Sequence, residues 1–389
     1  MDINGLITTL FNGISIGTVL LIVALGLAIV FGLMGVINLA HGELMMLGAY
    51  TTYVVQSGFR QLGDGWQGAY IWVAIPFSFL VAALVGLALE RGVIRFLYGR
   101  PLETLLATWG VSLILRQFVR SVSWAMVAGL VIFCGLFFGG KRLLSRVGLA
   151  APRQAVASAV LFVLSGAIAL ALGSSLNDNA PLARPWFSAR NVDVTAPGWL
   201  QGSLPVTDTL QFPISRIFII GLTLVCLLGV YWFLQKSAWG LRIRSVTQNR
   251  DMSACLGIPT AQVDAVTFAL GSGLAGVAGF AVTLLGSVGP NLGGNYIVDA
   301  FMVVVVGGVG NLLGSVIAAL GIGVLTYLLG SGTLPLLLSA NEGLQPLTDF
   351  FNFFATTSMA KVMVFALIIV FLQVRPAGLF PPKGRSAEV

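Results

Sequence analysis

The chain has 389 residues, of which 57% are hydrophobic and only 9% charged. A water-facing surface of this size cannot be built from so few charges, so most of the chain must face lipid. The net charge of +7 does not make a nucleic-acid binder, because the lysines and arginines fall in short stretches between apolar runs rather than in one basic patch.

Apolar runs of about twenty residues, the length that crosses hydrocarbon as a helix, recur from end to end. Lipid offers no partner for open backbone groups, and the alternating pattern of a barrel strand is absent. The predicted fold class is therefore all-α, a polytopic transmembrane helical bundle. The runs place spans at 7–33, 36–56, 69–89, 104–122, 124–140, 155–173, 213–235, 263–287, a short one near 298–309, 313–331 and 354–374. About ten is the central count, within about eight to eleven, because the short segment can be re-entrant. The first run lacks a basic leader and a small-residue cleavage pattern, and reads as a retained helix.

The second predicted span opens on Asn38-Leu39-Ala40-His41-Gly42-Glu43-Leu44-Met45-Met46, with an amide, the only histidine and a carboxylate inside or at the edge of the span. Ionisable groups at membrane depth are costly and usually face a partner or an aqueous path, so Asn38, His41 and Glu43 are candidates for a substrate pathway or gate. A structural role, capping the helix or pairing with one another, fits equally. One histidine and one glutamate do not make a metal site, and the three scattered cysteines, Cys134, Cys226 and Cys255, carry no ligand spacing.

In the fourth span, Thr104, Thr108, Trp109 and Ser112 offer polar groups at helical spacing; Thr108 and Ser112 could serve a neutral solute or hold helix to helix. Residues 124–173 read as a helical hairpin with a basic turn. The stretch 174–212 is polar and rich in Pro, Asn and Asp (Asn177-Asp178-Asn179, Pro181, Pro185, Pro197, Pro205), an external loop that either contacts a partner or merely connects.

Between two later spans, 236–262 begins as a basic loop, continues as a short helix and stops at Gly257 and Pro259. By itself this is a short interfacial helix. A passive channel has little use for it, whereas a pump driven by a separate motor needs such a lever. Further on, Gly308-Val309-Gly310-Asn311-Leu312 followed by Leu320-Gly321 repeats Gly35-Val36-Ile37-Asn38-Leu39 followed by Leu47-Gly48 at one constant offset. This is a faint parallel repeat that makes Asn311 the counterpart of Asn38 and a further pathway candidate, although in a chain with 48 glycines chance explains it about as well. If the helices alternate from an external N-terminus, fourteen of the 21 basic residues, including Arg91, Lys141, Arg242 and Arg375, fall on the cytoplasmic side, as does the C-terminus.

The run Gly35-Val36-Ile37-Asn38-Leu39-Ala40-His41-Gly42-Glu43-Leu44-Met45-Met46-Leu47-Gly48-Ala49-Tyr50 resembles the signature of the permease family of ATP-binding cassette importers for branched-chain amino acids and urea. Gln248-Asn249-Arg250-Asp251 to Leu256-Gly257-Ile258 is similar to that family's coupling helix, and Leu274-Ala275-Gly276-Val277-Ala278-Gly279 also fits. Arg100-Pro101-Leu102-Glu103-Thr104-Leu105-Leu106-Ala107-Thr108-Trp109-Gly110-Val111-Ser112-Leu113-Ile114-Leu115, Asn191-Val192-Asp193-Val194 with Pro197-Gly198-Trp199-Leu200, and Val374-Arg375-Pro376-Ala377-Gly378-Leu379-Phe380 resemble the urea branch.

The resemblance implies a single permease domain over 1–389, in a bacterial inner membrane, without a catalytic site or cofactor of its own. Its implied partners are a homologous second permease, two cytoplasmic ATPase subunits that bind ATP and Mg, and a periplasmic urea-binding protein. Gln248, Asn249, Arg250, Asp251, Leu256 and Gly257 would couple to the ATPase. Urea is the expected cargo; branched-chain amino acids or short amides in the same kind of importer, and a passive urea channel, are the alternatives. Two features depart from the family pattern: the hairpin at 124–173, and Arg116 and Arg120, the first of which stands where an uncharged amide is expected.

Overall fold

The computed structural model describes residues 3–63, 66–146, 151–177, 186–187, 191–207, 210–338 and 345–380. Asp178, Asn179, Pro181, Arg184, Pro185, Arg190, Lys383 and Arg385 lie outside the described residues. Helices dominate, as a chain whose backbone must satisfy itself in lipid requires. In chain order they are α1 (Ile3–Met34), α2 (His41–Gln61), α3 (Tyr70–Gly92), α4 (Pro101–Ser121), α5 (Trp124–Arg146), α6 (Ala151–Asn177), α7 (Ile214–Lys236), α8 (Ala238–Gln248), α9 (Arg250–Cys255), α10 (Thr260–Thr283), α11 (Leu292–Gly307), α12 (Leu312–Gly330), α13 (Thr333–Leu338), α14 (Gln345–Phe353) and α15 (Thr357–Val374). A two-stranded antiparallel hairpin, β1 (Ser203–Thr207) with β2 (Leu210–Pro213), precedes α7.

The chain separates into two compact units, 1–112 with 192–389, and 113–191. In the first unit α1 and α10 form the centre. In each, 83% of the most apolar stretch is buried, against 28% in α3 and 22% in α7. Small residues allow the close approach, as is usual where helices pack in lipid. A Cβ at Gly48 would meet the backbone of Gly276, one at Gly279 the backbone of Met45, and one at Gly26 both Gly271 and the His41 ring. The 113–191 unit contains α5 and α6, which pack along each other through Phe133, Phe137 and Phe162.

The span count differs from the expectation of about ten. Among the described residues six helices are long and apolar enough to cross a membrane, and α14 with α15, bent by 108°, would make a seventh. Neither predicted span at 36–56 or 104–122 qualifies: the first is helical only from His41, and both α2 and α4 are too polar. The helix α2 carries His41, Glu43, Gln56 and Arg60, and α4 carries Glu103, Arg116 and Arg120. Burial compensates in α2, where His41, Glu43 and Gln56 are all inside the protein. The predicted short span is the 16-residue α11. The basic stretch expected as a loop after α7 is helical, because Ser237 caps α8 by accepting from the Gly240 N–H at 2.9 Å.

Within the predicted external loop, residues 192–200 belong to unit one. The Thr195 carbonyl accepts from Gln56 Nε2 at 2.5 Å and from the Tyr70 hydroxyl at 3.0 Å, and Trp199 Nε1 donates to the Gly68 carbonyl at 3.2 Å. Residues 192–200 thereby cover the α2–α3 turn.

Candidate functional site

The path from α1 to α2 decides where the signature residues lie. The helix α1 ends at Met34 and Gly35 reverses the chain with φ 68°, a left-handed conformation that favours glycine. Residues 35–38 then run without helical structure back along the bundle, and α2 begins only at His41. The His41 Nε2 donates to the Val23 carbonyl at 3.1 Å, which assigns the proton to that nitrogen. Val23 precedes Met34 by eleven residues, so the ring sits about 16 Å back along α1 from its end. The N-terminus of α2 is therefore deep within the bundle, and a non-helical segment leads to it.

Such a segment is tolerated at membrane depth only where protein groups satisfy its backbone. Thr108 Oγ1 accepts the Leu39 N–H at 3.2 Å, and Asn38 Oδ1 accepts the Ala40 N–H at 3.0 Å. Below the first turn of α2, Ser112 Oγ donates to Glu43 Oε1 at 3.0 Å. Asn38 and His41 are fully buried, Glu43 and Thr108 nearly so, and Ser112 buried. Asn38 Nδ2 and His41 Nδ1 have no hydrogen-bond partner among the described residues. The structure thus brings five of the six pathway candidates, Asn38, His41, Glu43, Thr108 and Ser112, around one broken segment where α1, α2 and α4 meet. The N-terminus of α11 closes the same place, since a Cβ at Gly42 would collide with the backbone of Gly293.

Asn311 is not among them. It caps α12, its Oδ1 accepting the Gly314 N–H at 3.2 Å, and its neighbour Gly310 packs on Gly32, about 9 Å along α1 from Gly26 and the His41 ring. The likeness of the two repeat segments is local: Gly308, like Gly35, has positive φ (101°) just after a helix, and an Asn three residues later accepts a backbone N–H, that of Ala40 ahead of α2 in one case and of Gly314 in the first turn of α12 in the other.

The segment after α7 forms a second arrangement. Asn249 breaks α8 from α9 and caps α9, its Oδ1 accepting the Met252 N–H at 2.9 Å; Gly257, with φ 80°, ends it. Gln248, Asn249, Asp251 and Leu256 are exposed, and Met252 joins them. Arg250 is exposed too, but its head group reaches back onto the bundle. Its guanidinium donates to Asp264 Oδ2 at 2.5 Å and lies 4.9 Å from the centre of the Tyr98 ring. The Tyr98 hydroxyl in turn donates to Glu90 Oε1 at 3.3 Å. Burial and the neighbouring carboxylates of Asp264 and Glu90 push the Tyr98 phenol well above its ordinary range. Thr247 Oγ1 adds a bond to the Leu33 carbonyl at 3.1 Å. The α8–α9 element is thereby tied to the ends of α1 and α10 and, through Tyr98, of α3.

Asp264, Glu90 and Tyr98 were not singled out by the sequence. The available signal was the rarity of acids within apolar runs, which marks Asp264 in the run from 263 as it marks Glu43. No group of three or more His, Cys, Asp or Glu that could hold a metal occurs among the described residues.

Residues 9–372 match the family described as branched-chain amino acid transport system / permease component. Similar relatives include the high-affinity branched-chain amino acid transport system permease protein LivH of Salmonella typhimurium, 25% identical over 95% of this chain and 94% of the relative. LivH of Escherichia coli (strain K12) is 24% identical with the same coverage. The corresponding protein BraD of Pseudomonas aeruginosa is 23% identical over 81% of this chain and 83% of its own length. No solved structure matches.

Proposed function

The chain belongs to the permease-component family of branched-chain amino acid transport systems, and from that premise we propose that it is the translocating subunit of an ATP-driven importer whose cargo is a branched-chain amino acid. It is a multi-pass membrane protein and a transport subunit rather than an enzyme. The observation that carries the ATP-driven reading is the α8–α9 element. Its outer surface presents Met252 and Leu256, while Arg250 and Thr247 tie its inner side to three helices of the bundle. An element held this way transmits force from a cytoplasmic ATPase to α1, α3 and α10. The proposed complex adds two ATPase subunits, a second permease and an external binding protein, in a bacterial inner membrane with the C-terminus cytoplasmic.

Cargo passes, in this reading, through the region of Asn38, His41, Glu43, Thr108 and Ser112. The amino-acid assignment replaces urea as first choice because the relatives named above are branched-chain amino acid permeases along nearly the whole chain. Urea stays as the second reading, favoured by the amide, imidazole and hydroxyl groups that dominate this cluster and suit a neutral solute. A deletion strain complemented with the full gene set decides: ATP-dependent uptake of labelled leucine, unaffected by excess urea, is expected. Uptake of urea but not leucine would exchange the two readings, and downhill solute flux through the chain alone would overturn the importer.

A further inference from the structure

A groove of about 460 Å³ opens between α3, α10 and the joint of α7 and α8. Along α3 it is lined by Phe79, Ala83, Leu87 and Arg91. Their four-residue spacing makes them one helix face, about 18 Å long. Ala269 of α10 lies opposite, and Trp239, at the start of α8, closes the end at which Arg91 stands. The length corresponds to one leaflet of hydrocarbon, about 15 Å.

The groove is apolar along its length and basic at one end. Arg91 lies in the last turn of α3, Lys236 in the last turn of α7, and the Arg242 guanidinium sits 5.1 Å from the Trp239 ring centre. No acid lines it. The nearest acids along its two helices are engaged elsewhere, Glu90 with the Tyr98 hydroxyl and Asp264 with Arg250. Within this chain α3 is mostly uncovered, so the apolar furrow is open to the membrane, and the cationic rim selects for negative charge. Arginine and tryptophan at such an end are the usual contacts of a lipid headgroup.

We propose that this groove is a binding site for an anionic phospholipid, with one acyl chain lying between α3 and α10 and the headgroup held by Arg91 at the Trp239–Arg242 rim. The lipid would touch both the core of the bundle and the root of the α8–α9 lever. The inference does not depend on which cargo the permease carries.

The test uses the full chain in phosphatidylcholine vesicles containing a minor share of phosphatidylglycerol. Either lipid carries a photoreactive acyl chain, and the cross-linked peptides are mapped by mass spectrometry. Phosphatidylglycerol should label the Phe79–Arg91 and Ala265–Leu270 peptides in preference to phosphatidylcholine. Arg91→Gln should reduce that preference about fivefold, the share of one basic residue at a charged surface. Ala269→Phe, which fills the groove, should remove the label there and leave labelling of the exposed face of α6, around Leu164 and Leu170, unchanged. Equal labelling by both lipids, or an undiminished preference in Arg91→Gln, would show an ordinary lipid annulus and overturn the proposal. So would cross-linking of Ala83→Cys to a second protein chain, which would make the groove a subunit interface.

Discussion

Arg250 and Asp264 meet at 2.5 Å across the junction between the short α9 and the membrane helix α10. The carboxylate is almost fully enclosed, with 4% of its side chain exposed, whereas the arginine side chain is 45% exposed. The pair is therefore neither a free surface contact nor a sealed core pair. Its partner groups, the Tyr98 ring and through it Glu90, extend the link to α3.

Removing Arg250 leaves an enclosed carboxylate without its cation. Arg250→Gln should lower stability by about 1–2 kcal/mol, below the cost of breaking a fully buried pair because the arginine is half in solvent. Transport should fall more than stability if the pair also carries force. Pairing Arg250→Gln with Asp264→Asn should recover most of the stability, since both charges are then gone. Thermal unfolding of the two single variants and the double variant forms the cycle; additive losses would show that the residues do not interact.

Glycine at the helix crossings is required by backbone contact, not by turn geometry. Gly42→Ala and Gly279→Ala place a methyl group against the backbone of Gly293 and of Met45 respectively, and should each destabilise by about 1–3 kcal/mol. Gly58 and Gly221, also helical, face open space, so alanine there should be neutral or stabilise by about 0.4–1 kcal/mol. Unfolding midpoints in detergent distinguish the two classes.

Ser112→Ala withdraws the hydroxyl that donates to Glu43 and leaves an enclosed carboxylate oxygen short of a donor, at a cost of about 1–3 kcal/mol. Thr108→Val removes the acceptor for the Leu39 N–H and should loosen the non-helical segment before α2. Hydrogen exchange at 35–41 should rise in Thr108→Val and stay at the wild-type level in Thr104→Val, whose hydroxyl bonds only to the Leu97 and Arg100 carbonyls.

Tyr98 gives the pH prediction. Its folded-state value lies above the ordinary value of 10.0, chiefly through burial. The neutral phenol is thus favoured in the fold, and the contribution to stability is complete below pH 10 and is lost as pH rises beyond it. The unfolding midpoint should therefore decline more steeply above pH 10 in the wild type than in Tyr98→Phe. Parallel curves would show that the phenol is not enclosed.

Apolar runs located most of the helices because a helix in lipid needs only length and low charge, and both are written locally. The run around Asn38 and the segment around Gln248 to Ile258 likewise carried the family in their order of residues. Polar helices were harder: α2 counts as an apolar span by position but is shielded largely by protein, and only its neighbours reveal this. Asn311 shows the converse, for its sequence likeness to Asn38 marks a turn after a positive-φ glycine, whereas Asn311 caps α12 and Asn38 bonds Ala40 ahead of α2.

Composition and residue order were enough to make this a helical membrane protein of the permease family and to mark which short stretches bear its polar groups. Helix packing places His41 about 16 Å back along α1, brings Thr108 to the broken segment and Ser112 to Glu43, and sets Arg250 against Asp264. Periodicity encodes which face of a helix avoids water, whereas contacts between residues tens or hundreds of positions apart depend on which helices approach, and that is settled by packing between whole elements.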